Sequence, residues 1–268
     1  MKKYIMLFCL LVVTLSVGCA KKPAHVKRGE IGRESETSIK LQEYFDKYDD
    51  ATGSIKAFAK LKIIKGDKVR QTDVVIIVEK PDKMRMDFMD ALADVWANAG
   101  TNGKELWLYI PSKKRIYKGR AAKRNLRRLA KLNMRIDELI AVMTGAPPIG
   151  EHTRILQLGK RTESHFVALG GDLHMRISTK KGHLLDCTRY GDGGRRIDYE
   201  VSYDNFKSIG EVDFPYHVDI KFPERGSSLV IDYQNVISNV AIDQSLFKPT
   251  GFEKKNVMDL DYIPEEDL

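Results

Sequence analysis

The alternation of apolar and polar residues restricts the fold of this chain more than any other sequence feature. After Gly53, lysines alternate with a run of apolar positions, Ile55, Ala57, Ala59, Leu61 and Ile63. Successive side chains of a β-strand point to opposite faces of a sheet, so this period of two predicts a strand with one buried face. Comparable segments recur along the chain, separated by turn signals such as Asn102-Gly103. We therefore predict about 11 antiparallel strands.

Two segments have a helical period instead. Residues 35–50 combine a serine cap with apolar residues at helical spacing, and residues 120–143 end before Gly145 and a Pro-Pro pair. The sequence therefore predicts an α+β domain with one helix at its start and one or two in its middle. The last residues, 253–268, are rich in Asp and Glu, and we expect them to form a frayed acidic tail.

The N-terminus has the pattern of an export signal. Two lysines precede an apolar stretch, residues 4–17, that is too short for an ordinary membrane-spanning helix. The small residues before Cys19 resemble the lipobox of bacterial lipoproteins, although Ser16 stands where that motif has Leu, Val or Ile. The resemblance implies cleavage between Gly18 and Cys19 and acylation of Cys19. A signal anchor with a chance cysteine, or a secretory peptide cleaved nearby, is the alternative.

These patterns divide the chain into four predicted segments. They are a signal peptide at 1–18, a flexible tether at 19–34, a folded domain at 35–252 and the acidic tail at 253–268. Of the three cysteines, Cys9 leaves with the signal and Cys19 is acylated, so Cys187 has no cysteine to pair with. An apolar core must therefore hold the fold, and 43% hydrophobic residues suffice to build one.

A dense group of cations lies in the predicted middle helix. Between residues 113 and 135 there are many lysines and arginines and no acidic residue. Six of them at helical spacing form a predicted membrane-docking surface, which we name the basic face: Arg120, Lys123, Arg124, Arg127, Arg128 and Lys131. The export signal excludes nucleic acid as the partner, which leaves anionic phospholipid headgroups or the acidic surface of a delivered lipoprotein. The alternative is a solvated helix face.

Two short phrases carry a family resemblance. Residues 103–111 are GKELWLYIP, followed by Tyr117 and Gly119, and the domain closes with Leu246, Phe247, Pro249 and Gly251. Over about residues 36–252, this order of phrases and elements resembles the LolA/LolB superfamily of lipoprotein carriers and receptors. LolB is an outer-membrane lipoprotein and LolA is soluble, so the lipobox favours the LolB side. The resemblance implies a strongly curved antiparallel sheet, an incomplete barrel whose concave face is covered by helices.

Such a half-barrel would hold acyl chains in an apolar cavity between sheet and helices. The candidate lining residues come from predicted strands and from the covering helix: Met84, Met86, Phe88, Trp107, Tyr109, Leu139 and Met143. Plain core packing is the alternative for each of them.

No motif for metal binding, phosphate binding or nucleophilic catalysis is present in the sequence, and we predict a non-enzymatic protein without cofactor or metal. Ala20, rather than Asp, follows Cys19. In enterobacterial lipoproteins this resembles sorting to the outer membrane. We expect a monomer anchored at the periplasmic face of the outer membrane of a Gram-negative bacterium, with lipids, acylated lipoproteins and a soluble periplasmic carrier as partners. The alternative is an envelope interaction or stress-sensing module on the same scaffold, without acyl cargo.

Overall fold

A computed structural model describes residues 36–149, 155–160, 164–169, 172–178, 180–249 and 256–262. The predicted signal peptide, the tether, Gly18 and Cys19 lie outside these residues. The helices are α1 (Glu36–Ala51), α2 (Lys123–Ala130) and α3 (Ile136–Met143). The strands of the first half are β1 (Ser54–Lys65), β2 (Lys68–Glu79), β3 (Lys83–Met89), β4 (Val95–Asn102), β5 (Glu105–Ile110) and β6 (Arg115–Arg120). Those of the second half are β7 (Ile155–Lys160), β8 (Ser164–Leu169), β9 (Leu173–Ser178), β10 (Leu184–Gly191), β11 (Arg196–Ile209), β12 (Val212–Phe222), β13 (Ser227–Ser238) and β14 (Val257–Asp259).

All the described strands belong to one 14-stranded sheet. Its order is β14-β6-β5-β4-β3-β2-β1-β13-β12-β11-β10-β9-β8-β7. β1 joins the two halves because it pairs antiparallel with β2 on one side and β13 on the other. The sheet is curved but open, since its edge strands β14 and β7 do not pair. The predicted α+β incomplete barrel is thus confirmed, with more strands than expected.

One continuous apolar core lies between the concave face of the sheet and the helices. In β1 the expected alternation holds from Ile55 to Leu61, with Ile55 and Ala59 almost fully buried, but Ile63 is 49% exposed and does not continue the buried face. Leu41 and Phe45 of α1, and Leu139 of α3, enter the same core. The helices are short, so their packing against the sheet, rather than intrinsic propensity, supplies most of their stability.

The C-terminal end of α3 is fixed by two buried tyrosines. Tyr48 of α1 donates a hydrogen bond to the Thr144 carbonyl (3.0 Å), and Tyr233 of β13 donates one to the Met143 carbonyl (2.7 Å). Gly145 follows with φ +73°, where a Cβ would lie 2.5 Å from the Tyr48 hydroxyl and 2.6 Å from Pro215. Glycine is therefore required both by conformation and by space.

The middle of the chain forms two helices rather than one continuous helix over 120–143. Lys131 adopts a left-handed conformation (φ 61°) after α2, and the chain turns before α3. Met134 in this connection is fully buried. The turn thus lets both helices place apolar side chains on the same sheet.

The expectation of a frayed tail is wrong for residues 256–262. β14 pairs in parallel with β6, and the Leu260 amide donates to the Lys118 carbonyl at 2.8 Å. Leu260 is fully buried. The acidic composition of this segment gave no indication that Leu260 would be buried. Its burial depends on contacts with β6 and α2, which are distant in the sequence.

Candidate functional site

Four of the predicted cavity residues meet in the main core. Met84 and Met86 project from β3, and Leu139 and Met143 project from α3, and all four are buried. Phe88 is half-buried and packs against the same core. The sequence analysis therefore identified residues on both sides of the contact between β3 and α3.

Trp107 and Tyr109 lie on the other face of the sheet, and the prediction that they line the same space is wrong. They form a separate buried cluster with Ile116 of β6. Their neighbour Leu106 faces the main core instead, because successive residues of β5 point to opposite faces. The Arg85 guanidinium lies 5.8 Å from the centre of the Trp107 ring on that face.

In the part of the chain that the structure describes, core side chains pack closely between the sheet and the helices. A narrow pocket of about 10 Å³ lies beside Tyr48 and Gly145, and a polar pocket of about 130 Å³ lies beside Arg127 and Arg196. None of the seven predicted lining residues borders either pocket. Entry of an acyl chain would therefore require α3 to move.

Methionines are concentrated at this filled surface. The five buried ones come from the sheet and from the covering segment: Met84, Met86, Met175, Met134 and Met143. Methionine has three rotatable bonds and a polarizable sulfur, so it fills irregular spaces and repacks at low cost. The surface is thus suited to exchange one set of apolar contacts for another.

A buried ion pair holds α3 on the sheet. The Arg189 guanidinium of β10 lies 3.0 Å from a Glu138 carboxylate oxygen of α3 and 3.1 Å from Asp172. It also donates to the Pro148 carbonyl at 2.7 Å, just beyond α3. Glu138 in turn accepts from the Arg135 amide at the start of the helix (2.9 Å). Both ends of α3 are therefore fastened by polar contacts.

On the same face, Tyr199 lies next to Arg189, and Tyr203 lies next to the free cysteine, Cys187. Burial raises the pKa of Tyr199 and of Tyr203 well above the usual tyrosine value, so both hydroxyls stay protonated at neutral pH. Burial also raises the pKa of the Cys187 thiol to about 12, so this cysteine is uncharged. We call Cys187, Arg189, Tyr199 and Tyr203 the polar cluster.

The basic face is only partly as predicted. Arg120 pairs with Asp261 (3.3 Å), and Lys123 lies 3.7 Å from Asp198. The side chains of Arg124, Arg127 and Lys131 are exposed.

Arg128 contradicts the expected exposure of the basic face. Only 7% of this residue is exposed, and its guanidinium donates to the Leu260 carbonyl. Asn125, one turn earlier, is also buried and binds Asp261 at 2.9 Å. These two residues of α2 secure the C-terminal segment, so Arg128 has a structural role that helical spacing alone could not reveal.

An exposed apolar loop was missed by the sequence analysis. Leu92, at the tip between β3 and β4, is 83% exposed, and Val95 and Trp96 are 41% and 49% exposed. The Asp90 carboxylate accepts from the amides of Leu92 (2.9 Å) and Asp94 (3.0 Å) and shapes this loop. Because Val95 begins β4, the loop lies at the opposite end of that strand from the junction of β6 and α2. The sequence pattern that could have indicated this loop is an apolar residue, Leu92, between two turn-forming aspartates, Asp90 and Asp94.

Solved structures share this architecture. A LolA superfamily protein of Nitrosomonas europaea has a TM-score of 0.56 at 16% identity, over 78% of this chain and 97% of that one. A DUF1329 family protein of Desulfovibrio piger gives 0.57 at 13% identity, over 78% and 95%. A domain of Vibrio parahaemolyticus described as outer membrane lipoprotein-sorting gives 0.55 at 12%, over 78% and 95%. No protein-family model matches the sequence, and no curated protein does.

The chain has a LolA/LolB-like fold. Within the described ranges, we find no helix with the length and apolar character needed to cross a membrane. The same part of the chain holds no group of three or more His, Cys, Asp or Glu side chains arranged to bind a metal ion.

Stability measurements can distinguish the buried cation of α2, Arg128, from the exposed ones. Arg128→Ala should lower the free energy of unfolding by about 2–3 kcal/mol, because it leaves the buried Leu260 carbonyl without its charged donor. Arg124→Ala, on the exposed side of the same helix, should change it by less than about 0.5 kcal/mol. Urea unfolding monitored by circular dichroism measures both. Equal, small losses would show that Arg128 does not secure the C-terminal segment.

Proposed function

We propose that this protein is a non-enzymatic lipoprotein of the outer membrane that binds acyl chains of lipids or lipoproteins beneath α3. The observation that carries the proposal is the methionine-rich concave face under a short helix held by polar contacts. The shared fold supports it, because one structural neighbour is described as an outer membrane lipoprotein-sorting domain. Acyl binding would assist the transfer of lipoproteins to the membrane.

In this proposal, an acyl chain replaces the contacts that α3 makes with the sheet. Leu139 and Met143 provide those contacts in the closed state, and both are almost fully buried. The ligand would bury a comparable apolar surface, so the hydrophobic contribution lost on opening is regained. The polar contacts at the ends of α3 then determine how readily the helix moves.

We further propose that Cys19 carries the lipid anchor and that the exposed cations of α2 contact anionic headgroups. Arg124, Arg127 and Lys131 offer positive charge at one surface. The loop at Leu92 is a second candidate contact, through apolar insertion rather than charge. Because the loop and the β6–α2 junction lie at opposite ends of β4, we treat the two contacts as separate.

Acyl binding is tested with the mature chain carrying Cys19→Ser, which retains the compact unit Ile31–Leu268. The parent should bind a fluorescent fatty-acyl probe. Leu139→Ala should strengthen binding by about tenfold, since it removes a side chain that competes for the space. Ile116→Ala, in the separate cluster on the other face, is the matched control. Both variants should lose about 2–5 kcal/mol in free energy of unfolding, but only Leu139→Ala should bind the acyl probe more tightly than the parent.

A parent protein that binds no acyl probe under these conditions would overturn the acyl-binding proposal. The envelope interaction module without cargo would then be the better account of the same scaffold.

The lipid anchor is tested by metabolic labelling with palmitate in a bacterial host. The parent chain should incorporate label and fractionate with the outer membrane. Cys19→Ala should lose both properties, because no other cysteine follows the predicted cleavage site closely. Cys187→Ala should keep the label, since its thiol is buried. Persistent label in Cys19→Ala would rule out this assignment.

Headgroup contact is tested by co-sedimentation with anionic vesicles. In the mature Cys19→Ser chain, reversal of Arg124, Arg127 and Lys131 to Glu should weaken binding by at least about 100-fold at low salt, because each cation near an anionic leaflet contributes about 1 kcal/mol. Parent binding should also weaken steeply as salt rises. Reversal of Lys65, Lys68 and Arg70, which are exposed on the β1–β2 hairpin, makes the same change in net charge elsewhere. An equal loss of vesicle binding in both triple variants would show that binding depends only on net charge. If the parent does not bind the vesicles, headgroup contact is excluded.

A further inference from the structure

The polar pocket of about 130 Å³ is a second candidate site, and none of the predicted acyl-binding residues lines it. Its lining comes from parts distant in the chain: α2 and the turn after it, the start of β11, and the end of β12 with the short turn Pro223–Arg225. The lining residues are Arg127, Asn133, Arg196, Asp198, Phe222, Glu224 and Arg225. The volume is several times what one water molecule needs, so a small polyatomic group fits.

One wall of this pocket is a fixed ion pair. The Asp198 side chain is 8% exposed, and one of its carboxylate oxygens accepts from Nε (3.0 Å) and Nη2 (2.8 Å) of Arg196. Asn133 donates to the same oxygen at 3.2 Å. The Gly191 backbone packs so closely that a Cβ would lie 2.7 Å from that oxygen and 3.0 Å from Arg196 Nη2. The Arg196 guanidinium is therefore held in place before any ligand binds.

Two further guanidinium groups line the pocket from other elements. Arg127 lies on α2 and Arg225 follows β12, and both residues are exposed. Within the described ranges, Arg225 forms no ion pair. Its neighbour Glu224 is the exposed carboxylate of the lining and lies 3.4 Å from Arg196 Nε. An anion in the pocket would thus give Arg225 a partner.

The charges of the lining favour an anion with several oxygens. Three guanidinium groups face two carboxylates, which leaves a net charge of +1. The nearest outer charges, Lys123 at 3.7 Å from Asp198 and Asp192 at 3.0 Å from Arg196, have opposite signs and cancel. A guanidinium presents parallel N–H groups that match two oxygens of a phosphate. A tetrahedral phosphate offers an oxygen to guanidinium groups on three sides, whereas a carboxylate has only two oxygens to share.

We propose that the pocket between α2, β11 and the turn after β12 binds a phosphate group. Arg196 is the fixed contact, and Arg127 and Arg225 contact the ligand from the solvent side. The phosphate belongs either to a phospholipid headgroup or to a soluble phosphate ester, which share the chemistry that guanidinium groups recognise. The site is reached while α3 stays closed, so it does not rest on acyl binding. It also goes beyond the headgroup contact proposed for α2, because two of its arginines lie on other elements and hold one phosphate at a defined place.

The binding test titrates the mature Cys19→Ser chain with inorganic phosphate and with glycerol 3-phosphate, at constant ionic strength so that screening does not change. Nuclear magnetic resonance signals of the arginine Nε–H groups report binding. The parent should bind both compounds saturably, with a shift of the Arg196 signal. Arg225→Ala should weaken binding by about tenfold, since a charged donor is lost. Arg70→Ala, an exposed arginine of β2 outside the pocket, is the matched control and should bind as the parent does.

The carboxylate of Glu224 tests the charge of the ligand. Glu224→Gln should strengthen phosphate binding by about threefold, because it removes an exposed like charge beside the ligand. A pocket built for an ammonium group would respond in the opposite direction, so weaker binding in Glu224→Gln would overturn the phosphate assignment. Both Glu224→Gln and Arg225→Ala alter exposed side chains and should melt at the temperature of the parent. Changes in binding are then not effects on folding.

Vesicles distinguish the two sources of phosphate. If the ligand is a headgroup, Arg225→Ala should co-sediment with phosphatidylglycerol vesicles less than Arg70→Ala does. If it is a soluble ester, the two variants should co-sediment equally, although only Arg225→Ala binds glycerol 3-phosphate more weakly.

The site would be overturned if the parent bound neither phosphate compound saturably, or if Arg225→Ala and Arg70→Ala lost the same affinity. Either result would leave acyl binding intact, because that proposal is tested with another probe and with residues beneath α3. Failure of the acyl probe to bind would likewise leave the phosphate site standing.

Discussion

The concave face of the curved sheet must be kept from water, and the rest of the structure follows from this requirement. A single sheet with apolar side chains on one face is stable only when another layer covers them. α1, α2 and α3 provide that layer, and their apolar residues merge with those of the strands into one core. The chain after β6 turns at Lys131 so that two short helices, rather than one long one, follow the curvature.

The cover differs from an ordinary core layer in how it is held. Apolar contacts fill the space beneath α3, but its ends are fastened by specific polar contacts, to Arg189 at one end and to Tyr48 and Tyr233 at the other. Apolar contacts with methionines are easily rearranged, whereas directional hydrogen bonds either form or break. Under the proposed function, such a helix has two states, one closed on the sheet and one released from it. The proposed acyl binding therefore relies on repacking of this surface, whose described residues are closely packed.

The polar residues within this core have separate tasks. Tyr48 and Tyr233 satisfy the carbonyls at the end of α3, and Arg128 satisfies the carbonyl that fixes Leu260. Tyr199 and Tyr203 instead lie beside Arg189 and Cys187, and burial raises the pKa of both hydroxyls well above the usual tyrosine value.

Period and composition are local properties, so the alternating strands, the helical segments and the apolar character of Met84, Met86, Leu139 and Met143 could be predicted from the sequence, whereas β14 could not. Which of these residues share a space depends on the tertiary structure. Trp107 and Tyr109 carry the same apolar signal as Met84, yet the register of β5 places them on the opposite face. Arg128 has the same spacing as its exposed neighbours, but the returning C-terminal segment buries it. The polar cluster could not be predicted either, since Arg189 and Tyr199 meet only through strand pairing and Glu138 reaches them only because α3 folds across the sheet. Contacts between residues distant in the chain depend on the packing of whole elements, and no local pattern encodes them.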